Sequence, residues 1–422
     1  MVGLARSGQA AARMLAARGE TVVGVDAGAP DVDLAGVEVH TGADGVELLD
    51  RGVRTVVKSP GVPNEAPVVA EARRRGIEVV GELELAWRLL PNRFVAVTGT
   101  NGKTTTVELL GAIWRAAGLP VAVAGNVGTP LSALVGGLDP QVTVICEASS
   151  FQLEDASAFA PEVAVLLNVE EDHLDRHGDL ASYRAAKLRI FARQEAEDWA
   201  VTAPDLRPDG AARWLSFGPG ADAAVRDGWI RFGGEPVLSV EQLRIRGAHN
   251  LDNALAATAA ALAGAAIAPA AVAEALRTFP GVEHRLEDVA TVAGVLYVND
   301  SKATNPASAR RGLEAFDGGV HAILGGSVKG GGFTALRDAV GERCRACYLV
   351  GEAGDRLAAD LDGAAPLVRA GTLERALDAA SEAAEPGDVV LLSPACASFD
   401  AFRDYEHRGA RFKALVRALE GE

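Results

Sequence analysis

Residues 98–105 read Thr-Gly-Thr-Asn-Gly-Lys-Thr-Thr and close the apolar run Phe94-Val95-Ala96-Val97. The stretch behind them repeats Val107, Leu109, Leu110, Ile113 and Trp114 at helical spacing,. A short buried strand, a glycine turn and a helix opening on lysine and threonine form a phosphate loop. In such a loop backbone N–H groups and the positive end of the helix converge on anionic oxygens. Lys103 adds a point charge for the β- and γ-phosphates, and the Thr104 hydroxyl can hold Mg²⁺. Val97 stands where the usual G-x-x-x-x-G-K-[ST] pattern has its first glycine. The alternative to a nucleotide site is a plain turn with a solvated lysine.

A chain of 422 residues is long enough for about three domains. It is 49% hydrophobic and 23% charged, ordinary for a globular protein with a sizeable core,. A net charge of −16 argues against sequence-independent nucleic-acid binding, which needs clustered cations. It leaves room for an anionic substrate, because local glycine loops and lysines can dominate a site. Cys344 and Cys347 form one C-x-x-C, but no second pair or adjacent histidine completes a zinc site, so buried thiols are expected, with metal or redox use as the alternative,. Cys146 and Cys396 also lie in apolar contexts. The opening residues lack a charged-then-apolar pattern, so a signal peptide is not expected there. The alanine-rich stretch 254–276, broken by Gly264 and Pro269, reads as a buried helical pair rather than a membrane span. A cytoplasmic protein with no nucleic-acid or membrane partner is expected.

Three α/β patterns follow one another. Residues 1–90 begin with Gly3-Leu-Ala-Arg-Ser-Gly8, a helix pattern, and the strand Thr21–Val25 with Asp26 at its tip. That is the order of a first dinucleotide-fold βαβ, with an acid placed to meet ribose hydroxyls; a simple strand–helix turn is the alternative. Only Met1 and Val2 precede Gly3, too few for a full central strand. A second strand, Thr55–Lys58, ends in the rigid turn Ser59-Pro-Gly-Val62, and Pro91-Asn92 reads as a linker,. Residues 91–280 hold the phosphate loop and two continuously apolar strands, Val142–Cys146 and Val163–Leu167, as expected of parallel strands covered on both faces,. Polar residues therefore collect at strand ends: Asn126, Glu147, His173, then Lys187, Asn250 and Asn253. An acid at a strand end across from a phosphate loop is how such enzymes hold Mg²⁺. His173 and His177 with Asp172 and Asp175 lack the thiolate of a zinc cluster, and a hard-cation site suits them better,. Residues 281–422 repeat the α/β pattern with their own glycine loop, Gly325–Gly332, which is either a phosphate cradle or a flexible turn,.

GTNGKTT, GNVG, EASSFQLE, NVEEDHLDRH, YRAAKLRI, HNLDNALAA, HRLE, NDSKATNPAS, LGG-x-x-KGG and SPACASFDAF occur in the order seen in the Mur ligases of peptidoglycan synthesis. Over essentially its whole length the sequence resembles that family, and within it the branch that adds D-glutamate to UDP-N-acetylmuramoyl-L-alanine. The alternative is another amide ligase of the superfamily, one adding a different amino acid or a folylpolyglutamate synthase, which shares the Gly-Lys-Thr loop. The resemblance implies an α/β fold in three domains: a Rossmann-like UDP-sugar domain over 1–90, a central parallel-sheet P-loop ATPase-like domain over 91–280, and a Rossmann-like amino-acid domain over 281–422. It assigns Ser7, Asp26, Ser59, Gly61, Asn126 and His173 to the sugar nucleotide. ATP falls to Gly99, Thr100, Asn101, Gly102, Lys103, Thr104, Thr105, Asn250, Asn253, Arg285 and Asp300. Lys302, Thr304, Lys329, Ser398 and Tyr405 would take D-glutamate. Lys103, Glu147, His173 and Lys187 would be catalytic. Two Mg²⁺ ions are expected, held by Thr104, Glu147, His173 and Lys187, the last as a carbamate made with carbon dioxide. The expected partners are small molecules, and the expected state is a monomer.

Overall fold

The computed structural model describes residues 1–328 and 331–419. The chain divides into two compact units, Met1–Leu243 with Asp252–Thr278, and Arg244–Leu251 with the chain from Phe279 on.

The first unit opens with two pairs of parallel strands, β1 (Val23–Asp26) with β2 (Glu38–Thr41) and β3 (Thr55–Lys58) with β4 (Glu78–Gly81). Val2 works as a stitch between the two pairs, bridging Val25 on one side and Lys58 on the other. The helix Glu82–Leu89 then sends Leu83 and Ala86 into the same core as Phe94 and Ala96. Its Glu84 is buried and accepts N–H groups from Ala158 at 3.0 Å and Phe159 at 2.9 Å. Residues 1–90 thus share a unit with the central sheet.

That sheet is parallel throughout. In chain order its strands are β5 (Phe94–Thr98), β6 (Val121–Gly125), β7 (Thr143–Glu147), β8 (Val163–Leu166), β9 (Trp199–Thr202) and β10 (Arg213–Ser216). In space they run β10-β9-β8-β5-β7-β6. The order reverses around β5, and open α/β sheets bind ligands at the carboxyl ends of the strands flanking such a reversal. There the phosphate loop leaves β5, and Glu147 ends β7. The apolar strand residues are fully buried, as in Val97, Ile145 and Val165, because helices cover both faces. A small antiparallel sheet, β11 (Ala223–Arg226), β12 (Trp229–Phe232) and β13 (Glu235–Ser239), follows. The expected alanine-rich helical pair is present as Ala248–Ala259 and Pro269–Thr278, and its middle winds into a π-helical turn over Ala260–Gly264.

The second unit carries β14 (Glu287–Val292), β15 (Val295–Asn299), β16 (Val320–Gly325), β17 (Cys344–Val350), β18 (Leu367–Gly371) and β19 (Val389–Leu392), arranged β14-β15-β19-β16-β17-β18. Only the β14–β15 pairing among the described strands of this sheet is antiparallel. The turns after β15, β16 and β19 leave from neighbouring strand ends, which gathers Asp300–Pro306, the start of the glycine loop at Gly325–Val328, and Ser393–Ser398. Among the described residues no helix is long and apolar enough to cross a membrane.

Candidate functional site

The phosphate loop is braced from β8. Asn168 accepts the Asn101 N–H on its Oδ1 at 2.9 Å, and its backbone carbonyl accepts the Thr100 N–H at 3.0 Å. Gly102 sits at φ +85, and a Cβ there would come 2.2 Å from the Asn253 Oδ1. Only glycine fits that left-handed, crowded place. The loop feeds the helix Lys103–Ala116, in whose first turn Thr104 and Thr105 are buried.

Two lysines meet at one carbonyl. Lys103 Nζ donates to Gly99 O at 2.8 Å and to Thr100 O at 3.0 Å. Lys187 Nζ donates to the same Gly99 O at 2.8 Å and lies over the Tyr183 ring, 4.3 Å from its centroid. Tyr183 and Lys187 sit four apart on the helix Leu180–Leu188, so both face inward and both are buried,. Among the described residues no carboxylate pairs with Lys187. A buried ammonium without a counter-ion is costly, and burial, with Lys103 adding repulsion, pushes the Lys187 amine down to about 6.

Around this centre the expected residues gather in part. Asn126 donates its amide to Glu147 Oε1 at 3.0 Å, joining the turn after β6 to the acid that ends β7. His173 takes a left-handed backbone at φ 53, uncommon for a non-glycine and often found where function holds it,. Its ring packs against Phe151 at 4.9 Å and Tyr183 at 6.2 Å. His177 is committed to structure, between Ser150 Oγ at 3.0 Å and Glu154 Oε1 at 3.0 Å. At the first sheet Ser7 and Ser59 share a hydroxyl contact of 3.2 Å, while Gly61 lies exposed two residues on. Asp26 spends both carboxylate oxygens on backbone, accepting from Leu4 N at 2.6 Å and Gly28 N at 2.8 Å.

In the second unit, Asp300 directly follows β15 and is buried, accepting from Ser393 Oγ at 2.7 Å and Leu286 N at 3.3 Å. Burial pushes its carboxyl up to about 7. Arg285 lies between two left-handed residues, His284 and Leu286, and its Nε is buried without a hydrogen-bond partner. Asn250 donates to Arg246 O at 2.7 Å. Lys302 stands over the Tyr405 ring at 5.4 Å, and Thr304 closes the same turn through its N–H to Lys302 O at 2.9 Å. Ser398 is buried after β19. Lys329 lies outside the described residues.

Sequence reasoning missed Arg408. It is buried and donates to Ser301 Oγ at 3.0 Å, Ser301 O at 2.9 Å, Cys396 O at 3.1 Å and Ala397 O at 3.2 Å. One guanidinium thereby fixes the turns that carry Lys302, Thr304 and Ser398. The available signal was periodicity, since Arg408 heads the buried stripe Phe412, Val416 at intervals of four,. Tyr183 and Asn168 were missed as braces because their partners lie far away in sequence.

Among the described residues, Glu283, His284 and Glu287 are spaced closely enough to ligate one ion. Lys413 already pairs with both glutamates, so their charge is met.

Comparison with known proteins bears on this geometry. Residues 97–261 match the Mur ligase middle domain, and residues 284–396 match the Mur ligase glutamate ligase domain. The chain is 44% identical to a UDP-N-acetylmuramoylalanine--D-glutamate ligase of Acidobacterium capsulatum, across 100% of this chain and 96% of that protein. It is likewise 44% identical to the enzyme of that name from Geobacter metallireducens, across 99% and 97%. Among solved structures, the UDP-N-acetylmuramate-alanine ligase of Thermotoga maritima aligns with a TM-score of 0.63 at 20% identity, covering 100% of this chain and 99% of that one. A MurF ligase of the same organism, in complex with ADP, aligns with a TM-score of 0.61 at 20% identity over 96% and 90%. These two likenesses concern the fold.

Proposed function

The chain belongs to the Mur ligase family, and from that premise we infer that it joins D-glutamate to UDP-N-acetylmuramoyl-L-alanine at the expense of ATP, in peptidoglycan precursor synthesis. The observation that carries this reading is the 44% identity over full length to ligases of that name. Residues 1–90 take the sugar nucleotide, 91–280 the ATP and 281–422 the amino acid.

The acceptor's alanyl carboxylate attacks the γ-phosphorus, ADP leaves, and an acyl phosphate forms. The amine of D-glutamate then attacks the acyl carbon, loses a proton, and phosphate departs with one oxygen from the acceptor. Two anions must approach in the first step, so the chain's cations set its rate. Lys103 moves its ammonium from loop carbonyls to phosphate oxygens, and Arg285, with an unsatisfied Nε, offers a further donor. Asn126 and His173 orient the attacking carboxylate. Lys302, Thr304, Ser398 and Tyr405, held in place by Arg408, receive the two carboxylates of D-glutamate, and the family resemblance assigns Lys329 to the same substrate. Asn250, Asn253 and Asp300 are assigned to ATP by the family resemblance.

The residues fit a magnesium-dependent site. A neutral amine is the form that adds carbon dioxide, and Lys187 is neutral near pH 7 for the reasons given by its burial. As a carbamate it would stand with the Glu147 carboxylate and Thr104 hydroxyl as a set of hard oxygen donors, the kind Mg²⁺ prefers, with His173 adjacent. Bound there, Mg²⁺ would draw charge from the γ-phosphoryl oxygens. An uncarbamylated, protonated lysine would repel it.

Acceptor labelled with oxygen-18 in its carboxylate tests the chemistry. One labelled oxygen in the released phosphate is expected. Unlabelled phosphate would overturn the acyl-phosphate route.

A further inference from the structure

The carboxylate of Glu154 is the meeting point of three side chains, Arg176 and His177 from one turn and Asn64 from another part of the first unit. Its Oε2 accepts from Arg176 at 3.0 Å and from the Asn64 amide at 3.3 Å, and its Oε1 faces His177 Nδ1 at 3.0 Å. The same Arg176 nitrogen also donates to the Val62 carbonyl at 3.2 Å, and the guanidinium lies over Phe151 at 5.0 Å. Val62 O takes a second cation, Lys58 Nζ, at 2.9 Å, and Lys58 is itself paired with buried Asp155 at 2.7 Å. The turn Ser59–Asn64 is thus held from below by Lys58–Asp155 and from the side by Arg176–Glu154.

The other end of this network is the His173 segment. His173 O accepts the N–H groups of Arg176 and His177 at 3.1 and 3.0 Å, closing the one turn whose start is the left-handed His173. Arg176 is three residues from His173 and touches the carbonyl three residues beyond Ser59. The Arg176 and Glu154 side chains are 15% and 16% exposed. Such partly buried, charge-assisted contacts hold geometry more firmly than surface pairs do.

We propose that Arg176 and Glu154 are positioning residues for the sugar-nucleotide acceptor: they lock the Ser59–Asn64 turn to the His173 segment, so that the part holding the nucleotide and the part orienting the alanyl carboxylate keep a fixed spacing. This rests on the functional reading above. An acceptor held at both ends binds with full affinity only if the span between the two parts is fixed beforehand, because a loose span must be ordered on binding. ATP and D-glutamate do not depend on that span, so their binding is left alone.

The experiment compares Glu154→Gln, Arg176→Lys and Arg176→Met with the parent. Initial rates are measured with each substrate varied in turn, and UDP-N-acetylmuramoyl-L-alanine binding is measured by calorimetry. The expected result is a KM for the acceptor raised about tenfold in Glu154→Gln and Arg176→Met, the effect of removing one charge-assisted hydrogen bond. Arg176→Lys recovers part of it, and KM for ATP and for D-glutamate stay within about twofold, since a hydrogen bond worth about a tenfold change should leave unconnected substrates alone. An acceptor KM and affinity matching the parent would overturn the proposal while leaving the ligase reading intact. Equal losses for all three substrates would overturn it in favour of a merely structural role. A parent that neither binds the acceptor nor turns over would overturn the ligase reading, and the positioning role with it.

Discussion

Lys103 and Lys187 direct their amines at one carbonyl oxygen, Gly99 O, and burial, with repulsion from Lys103 adding to it, decides which of them gives up its proton. The buried one does so. The Lys187 amine, ordinarily near 10.5, is pushed to about 6. An unfolded chain therefore binds a proton that the folded chain refuses between about pH 6 and 10.5. The cost of burying this lysine is absent above that window, grows as pH falls through it, and is complete below 6. Carbamylation should follow the neutral form, so labelled bicarbonate should give a carbamate carbon signal at pH 8 that fades as pH falls through about 6. Lys187→Ala should lose that signal and, if the carbamate supports the reaction, turnover by at least about 10²–10³-fold; near-normal turnover would remove the role. Gly102→Ala forces a side chain into a left-handed residue and against Asn253. The backbone cost alone is about 1–2 kcal/mol, and a loop that relaxes to escape it must be restored on binding, so ATP affinity measured by calorimetry should fall about five- to thirtyfold. Of these residues, Gly102 and Lys103 are legible in the loop motif. Lys187 reads as an ordinary helix lysine until the family resemblance is drawn, because its burial depends on Tyr183 and the distant loop.

Strands whose apolar runs are unbroken were legible to within a residue or two, as at Val163–Leu166 and Val389–Leu392. Where a segment makes its own local sheet the pattern gave no notice. The antiparallel β11–β13 insert alternates only weakly and turns on Asp227-Gly228 and Gly233-Gly234, turn chemistry that also suits plain loops. The helix Tyr405–Leu419 illustrates a different gap: its apolar stripe predicts a buried face, but its polar leader Arg408 is there to tie turns from other strands. Arg408→Met should leave several buried carbonyls without a donor, at about 1–3 kcal/mol of stability by urea unfolding. It should also raise KM for D-glutamate more than KM for ATP, since the carbonyls that this guanidinium holds belong to Ser301, Cys396 and Ala397, in the turns beside Lys302 and Ser398. A drop in stability with an unchanged D-glutamate KM would make Arg408 purely structural.

The chain as a whole carries a net charge of −16 yet is read as handling a triphosphate, a sugar nucleotide and a dicarboxylic amino acid. The conflict dissolves because the cations that matter are few and placed inward: Lys103 and Lys187 at the phosphate loop, Arg285 and Arg408 in the second unit. Net charge speaks to solubility and to partners such as nucleic acid, while a buried ion speaks to one site. That is also why composition could exclude a class of partner but could not name a substrate. The amino acid is the most specific part of the reading, and it is tested by ADP release from the purified protein with Mg²⁺, ATP and UDP-N-acetylmuramoyl-L-alanine, offered D-glutamate, L-glutamate, L-alanine and meso-diaminopimelate in parallel. The account predicts ADP formed in step with D-glutamate consumed and little with the others. No ADP with D-glutamate, or equal release with another amino acid, would contradict it.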